Sequence, residues 1–202
     1  MQACIFRMTY LETFSIVESL AVTSAAIVAI IGINAWRREA KWKRKAEVAE
    51  EVLLAFHKVQ AAFEVIRSPA VWQDELPPDS TGSLQEKAAV TSRRFHANAD
   101  AFTHLRTLRW KYHIMFPKAS EEPFKEVELL LGKILSSSHM LGAVVWPRQG
   151  TNLPEEEFQK HLNEMHELES WHWRFNDERD PFKPRFANAL RQVEAECSRY
   201  VA

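Results

Sequence analysis

Apolar positions follow two different patterns along this chain. Over 14–36 they are almost continuous, interrupted by Glu18 and Asn34 near the two ends; from about residue 46 onward they recur every three or four residues. A continuous run of about 20 apolar residues matches the hydrocarbon thickness of a bilayer, whereas the second pattern is that of amphipathic helices burying one face. The run ends in Arg37, Arg38, Lys41, Lys43, Arg44 and Lys45, with Trp36 and Trp42 among them. Lys and Arg resist translocation, and tryptophan suits the headgroup layer, so these eight residues read as a cytoplasmic membrane interface. The expected organisation is a short outer tail (1–13), one transmembrane helix (14–36), and a C-terminal domain on the cytoplasmic side of the cell (inner) membrane. A secretory signal places its cations ahead of the apolar run, yet Arg7 alone precedes this one. Met8 would serve equally as a start, because removing 1–7 leaves the span intact.

No helix breaker separates the span from the polar residues after it, so one helix is expected to continue through a basic juxtamembrane and stalk segment (37–67) to Ser68-Pro69. Its distal half carries Ala49, Val52, Phe56, Val59, Phe63 and Ile66 at alternating spacings of three and four. That is a seam of the coiled-coil kind, and a seam needs a partner, either the rest of the chain or a second copy. The stretch 68–82, with Pro69, Pro77, Pro78, Asp79 and Gly82, reads as a loop. A second helix is expected from about Leu84 to Met115, striped with Phe95, Ala99, Phe102, Leu105, Leu108 and Tyr112. Ser120 should cap a third, whose face includes Phe124, Val127, Leu131 and Ile134, broken at Trp146-Pro147. Pro154 with Glu155, Glu156 and Glu157 opens a fourth, and Asp180-Pro181 a fifth that runs to the C-terminus. The fold class is therefore all-α: one N-terminal transmembrane helix continuing into a helical bundle (83–202) that the stalk completes.

Composition narrows the picture. Five glycines in 202 residues favour helices over sheets, and a net charge of -1 argues against a nucleic-acid partner. Two cysteines, Cys4 and Cys197, make no disulfide framework. The helix over 84–115 is mostly basic and the one opening at Pro154 mostly acidic, a complementarity that would favour them as neighbours. Solvated faces without mutual preference explain the same charges, since exposed pairs contribute only about 0 to 1 kcal/mol each.

Candidate chemistry is sparse. His161, Glu164 and His172 share one side of the fourth helix, and His96, Asp100 and His104 are spaced by four on the second, so these six residues could supply metal ligands. A di-iron bundle needs a Glu-x-x-His step twice, and here Glu169 and His172 make one. Surface histidines alternating with acids account for the same pattern without metal. Ser136, Ser137 and Ser138 precede His139, but adjacent helical residues diverge and no glycine-rich elbow frames a serine. There is no phosphate-cradling loop or dinucleotide fingerprint, and no cofactor is implied. Trp146, Trp171 and Trp173 gather near loops, where they either fill the end of the bundle or offer a docking surface.

The stretches Trp36-Arg37-Arg38-Glu39, Lys43-Arg44-Lys45, Ala49-Glu50-Glu51, Phe56 and Ile66-Arg67-Ser68-Pro69, and later Ser138, Leu141-Gly142 and Trp146-Pro147, resemble uncharacterised bacterial single-span membrane proteins with a cytoplasmic helical domain. The resemblance implies the architecture and brings over no functional residue. The function expected is a membrane-anchored interaction or scaffolding module, its partners the lipid bilayer and another protein or a second copy. The contrasting expectation is a metal-binding protein or metal-dependent enzyme using the six His, Glu and Asp residues above.

Overall fold

A computed structural model describes the backbone of residues 2–117, 119–149, 152–175 and 177–201, with side chains from Glu18 and Leu20 onward. The described residues form six α-helices joined by turns, with no strand. They are α1 (Gln2–Ile66), α2 (Leu84–Ala97), α3 (Ala99–Met115), α4 (Glu122–Met140), α5 (Glu155–His172) and α6 (Phe182–Val201). The chain divides into two compact units, Met1–Lys45 and Ala46–Ala202, and α1 contributes residues to both. The side chains of the expected outer tail, 1–13, and of the first residues of the expected span, 14–17, lie outside the described residues.

Local chemistry explains the boundaries in the second unit. Pro69 disfavours helical backbone at the residue before it, and α1 ends at Ile66. The 68–82 segment holds a short 3₁₀ turn, Gln73–Glu75, and Gly82 takes a positive φ of 70° that a side chain would resist. Ser83 and Glu86 then form a capping box: the Ser83 hydroxyl accepts from the Glu86 amide at 3.3 Å, and the Glu86 carboxylate accepts from the Ser83 amide at 2.8 Å. Those bonds hold the Glu86 carboxyl at about 2.

The single helix expected over 84–115 is in fact two. Asn98, at φ -112°, ψ 11°, leaves the helical region, and its side-chain amide donates to the Arg94 carbonyl at 2.8 Å. The same carbonyl also accepts from the Asn98 backbone amide at 3.1 Å, and that amide is shared with the Phe95 carbonyl at 3.0 Å, so the helix tightens and ends here. The Ser120 hydroxyl accepts from the Glu122 amide at 3.1 Å at the start of α4. After Met140 the chain passes into a π-helical turn, Leu141–Val145, and a 3₁₀ turn, Trp146–Arg148. A Cβ at Gly142 would lie 2.6 Å from the Ala88 Cβ, so glycine lets α2 approach here.

The seam of α1 is the centre of the second unit's core. Ala49, Val52, Phe56, Val59 and Ile66 are fully buried, and Phe63 nearly so, all within one chain. Phe56 meets Phe124 edge-on at 5.2 Å, and Phe63 meets Phe102 of α3 and Phe182 and Phe186 of α6 at 5.1, 4.8 and 5.8 Å. Aromatic pairs in this geometry add about 0.5 to 1.5 kcal/mol to the burial term. A smaller cluster of Ala88, Leu141, Val145 and Trp146 fills the far side of α2 and α4.

Opposite charges do meet, but not along the helices expected. Arg106 and Arg109 of α3 pair with Glu128 and Glu121 of α4 or its entry turn, at 3.4 and 2.7 Å, and Lys111 pairs with Glu51 of α1 at 3.2 Å. Among the described residues no ion pair joins α2 or α3 to α5. The connection between α3 and α4 is short, which makes those helices neighbours, while the acids opening α5 face solvent.

Candidate functional site

In the first unit, Leu20, Val22, Ile27, Val28, Ile30, Ile31 and Ile33 all stand more than half exposed. None of the apolar window of α1 is buried within the protein. Exposed apolar surface on this scale marks an interaction site, and its length suits a bilayer. Trp36, Arg37, Arg38, Lys41, Trp42, Lys43 and Arg44 are exposed where the run ends, and Lys45 is half-buried. A membrane span and a signal sequence share this length and apolarity. The segment Glu122–Arg148 has both as well, but half of its apolar window lies buried in the second unit.

The candidate metal ligands do not converge. His96, Asp100, His104 and Glu164 are not buried, whereas His161 and His172 are. Among the described residues no three His, Cys, Asp or Glu side chains stand close enough to hold an ion. Both nitrogens of His161 are buried without a hydrogen-bond partner, and one imidazole is not a metal site. His172 packs between Trp146 and Trp173, with ring centroids 5.7 and 5.3 Å away, and its Nδ1 lies 3.4 Å from the Thr91 hydroxyl. Trp146 is buried and donates from Nε1 to Glu169 at 3.1 Å, so this aromatic group fills the bundle rather than projecting from it.

Burial, helped by the charges of Arg67 and Arg94, holds the His172 imidazole at about 4. An unfolded histidine titrates near 6.5. Between those values the unfolded chain binds a proton that the folded chain refuses. Stability is therefore full above about pH 6.5 and falls toward about pH 4, by at most about 1.4 kcal/mol per pH unit. His172→Gln should flatten that part of the pH profile in denaturant titrations; an unchanged slope would refute the assignment.

The dominant polar constellation of the second unit centres on Arg67, which is 1% exposed. Its guanidinium grips Asp180 with two bonds, Nη1 to Oδ2 at 3.1 Å and Nη2 to Oδ1 at 2.9 Å. Nε donates to the Trp171 carbonyl at 3.0 Å, and Nη2 also to the carbonyls of Ser170 and Trp173 at 3.0 and 2.6 Å. The Arg174 amide donates back to the Arg67 carbonyl at 2.8 Å, and the guanidinium lies 4.6 Å over the Phe182 ring. One side chain thus ties the end of α1 to the end of α5 and the start of α6, where Asp180 also accepts from the Phe182 amide at 3.0 Å. Arg94 does the same for the 68–82 loop: it binds Glu75 through Nε at 2.6 Å and Nη2 at 2.7 Å, and donates to the carbonyls of Ser68 and Ala70.

These residues position elements rather than reacting groups. Burial pushes the Cys197 thiol up to about 11, leaving it protonated and unreactive at neutral pH. The Ser138 hydroxyl is buried and donates to the Ala88 carbonyl at 2.7 Å, while His139 next to it is exposed. Neither Arg67 nor Arg94 stood out as a site residue in the sequence. Arg67 follows the last seam position, Ile66, at a flanking position where charged side chains are ordinary, so residue type and spacing do not set it apart. Compared with known proteins, the chain matches no family model, no curated protein sequence and no solved structure.

Proposed function

We propose that this protein is a single-span membrane module of the cell (inner) membrane, with its N-terminus outside and Ala46–Ala202 forming a cytoplasmic domain that positions or assembles protein partners. The observation that carries this reading is the unburied apolar run of α1, ending in six cations within nine residues. A soluble fold would have to cover that run, and the second unit already uses its own apolar faces for its core. The asymmetry of charge supports the orientation, since Lys and Arg stay on the cytoplasmic side. Near an anionic leaflet each contributes about 1 kcal/mol. Within the second unit, the polar bonds that are buried hold helices together, which suits a rigid interaction domain better than a catalytic cleft.

A reporter fused after Ala202 is expected to be active if it works only in the cytoplasm, and silent if it works only after export. Neutralising Arg37, Arg38, Lys41, Lys43, Arg44 and Lys45 together should weaken or invert that result. Activity of the exported reporter on the unaltered chain would overturn the orientation.

A further inference from the structure

A cavity of about 340 Å³ opens between the end of α1 and α6. Its walls are Phe63, Phe182, Phe186 and Leu190, an aromatic and aliphatic lining. Its polar side is built differently. Arg67 is among its lining residues, but its guanidinium is buried and engaged by Asp180 and three carbonyls, so the cations open to a ligand are the other two. Arg174 and Lys183 complete the cationic side, and Glu64 is the one carboxylate of the lining. Asp180 matches the charge of Arg67. Glu64 lies 3.4 Å from Arg174 in a pair that is roughly half exposed on both sides, and Lys183 is exposed. The cavity therefore keeps about one positive charge beside an apolar interior, at the small end of the range of ligand sites.

We infer that this cavity binds a small amphipathic anion, a carboxylate carried on an aromatic or short aliphatic body. The apolar part would lie against Phe182, Phe186 and Leu190. The carboxylate would face Lys183 and Arg174, where charge-assisted bonds are the strong ones. A neutral isostere would keep the apolar contacts and lose the charge, and a purely cationic surface would not distinguish one body from another.

The test uses the full chain in nanodiscs of zwitterionic lipid, with phenylacetate as the probe and phenylacetamide as its neutral counterpart, followed by saturation-transfer NMR titration. Phenylacetate should bind saturably and at least about tenfold more tightly than the amide. Lys183→Glu, an exposed change, should weaken phenylacetate by a similar factor with an unchanged melting temperature. Ala187→Trp, also at an exposed lining position, should block the cavity and abolish binding while the protein stays folded. Equal affinity for acid and amide would reduce the site to an apolar crevice and overturn the inference. So would undiminished binding in either variant, or no saturable binding at all. A lipid headgroup shares the anionic chemistry: competition by anionic lipid in the nanodisc would assign the site to lipid, and its absence to a free acid.

Discussion

Phe56→Asp is expected to destabilise the Ala46–Ala202 unit by at least about 3 to 5 kcal/mol, enough to abolish its cooperative unfolding, while Lys58→Asp changes stability by less than about 0.5 kcal/mol. Phe56 has no exposed surface, and its ring meets the Phe124 ring edge-on. Truncation alone would leave a cavity at the centre of the core. A carboxylate there would in addition be desolvated with no cation at hand, which costs more than the lost contacts. Lys58, two residues on, is exposed and carries the same helical backbone without touching the seam. Denaturant unfolding and detergent-corrected mass measurements on both variants decide the matter. Equal, small effects would mean that α1 is a solvated rod beyond its apolar run. A halved mass with helicity retained would place the seam between chains instead of within one.

Arg67→Met is expected to cost about 3 to 5 kcal/mol, comparable to losing a core aromatic. The loss has two parts. Asp180, whose side chain is wholly buried, would lose its countercharge and keep only the Phe182 amide, and the carbonyls of Ser170, Trp171 and Trp173 would lose their donor. Arg67→Lys should rescue little, because a single ammonium cannot supply the planar fork that reaches Asp180 and three carbonyls together. Adding Asp180→Leu to Arg67→Met should restore part of the stability, since the unpaired charge is removed along with its partner, although the Phe182 amide still loses its acceptor. A double-mutant cycle in denaturant should therefore show a coupling of at least about 1 to 3 kcal/mol. Strict additivity would mean that the pair is incidental to the fold.

The α1 seam and the apolar stripes of α3, α4 and α6 were legible because burial imposes a period of 3.6 on any helix with one buried face. Periodicity names a face and is silent about its neighbour. For that reason the pairing of α3 cations with α4 acids, and not with those of α5, could not be read from charge. The break at Asn98 hid for a related reason: an asparagine with an intact stripe on both sides is tolerated in many helices, and the stripe itself continues from Phe95 to Phe102. His161 and His172 looked like ligands on residue type and spacing. In the structure they turn to the inside of α5 while Glu164 stays in solvent, so chemistry that spacing grouped is separated by burial. The Arg67–Asp180 pair spans 113 residues of sequence, and no local pattern announces a contact at that range.

Alkaline extraction of membranes from cells making the full chain, followed by intact-mass measurement, tests the proposed membrane span most directly. High pH strips peripheral proteins and leaves spanning helices in the bilayer. The chain is expected to stay with the membrane pellet at its full 23.4 kDa. Release into the supernatant, or recovery of a shorter chain that has lost the apolar run over 14–36, would contradict a spanning helix.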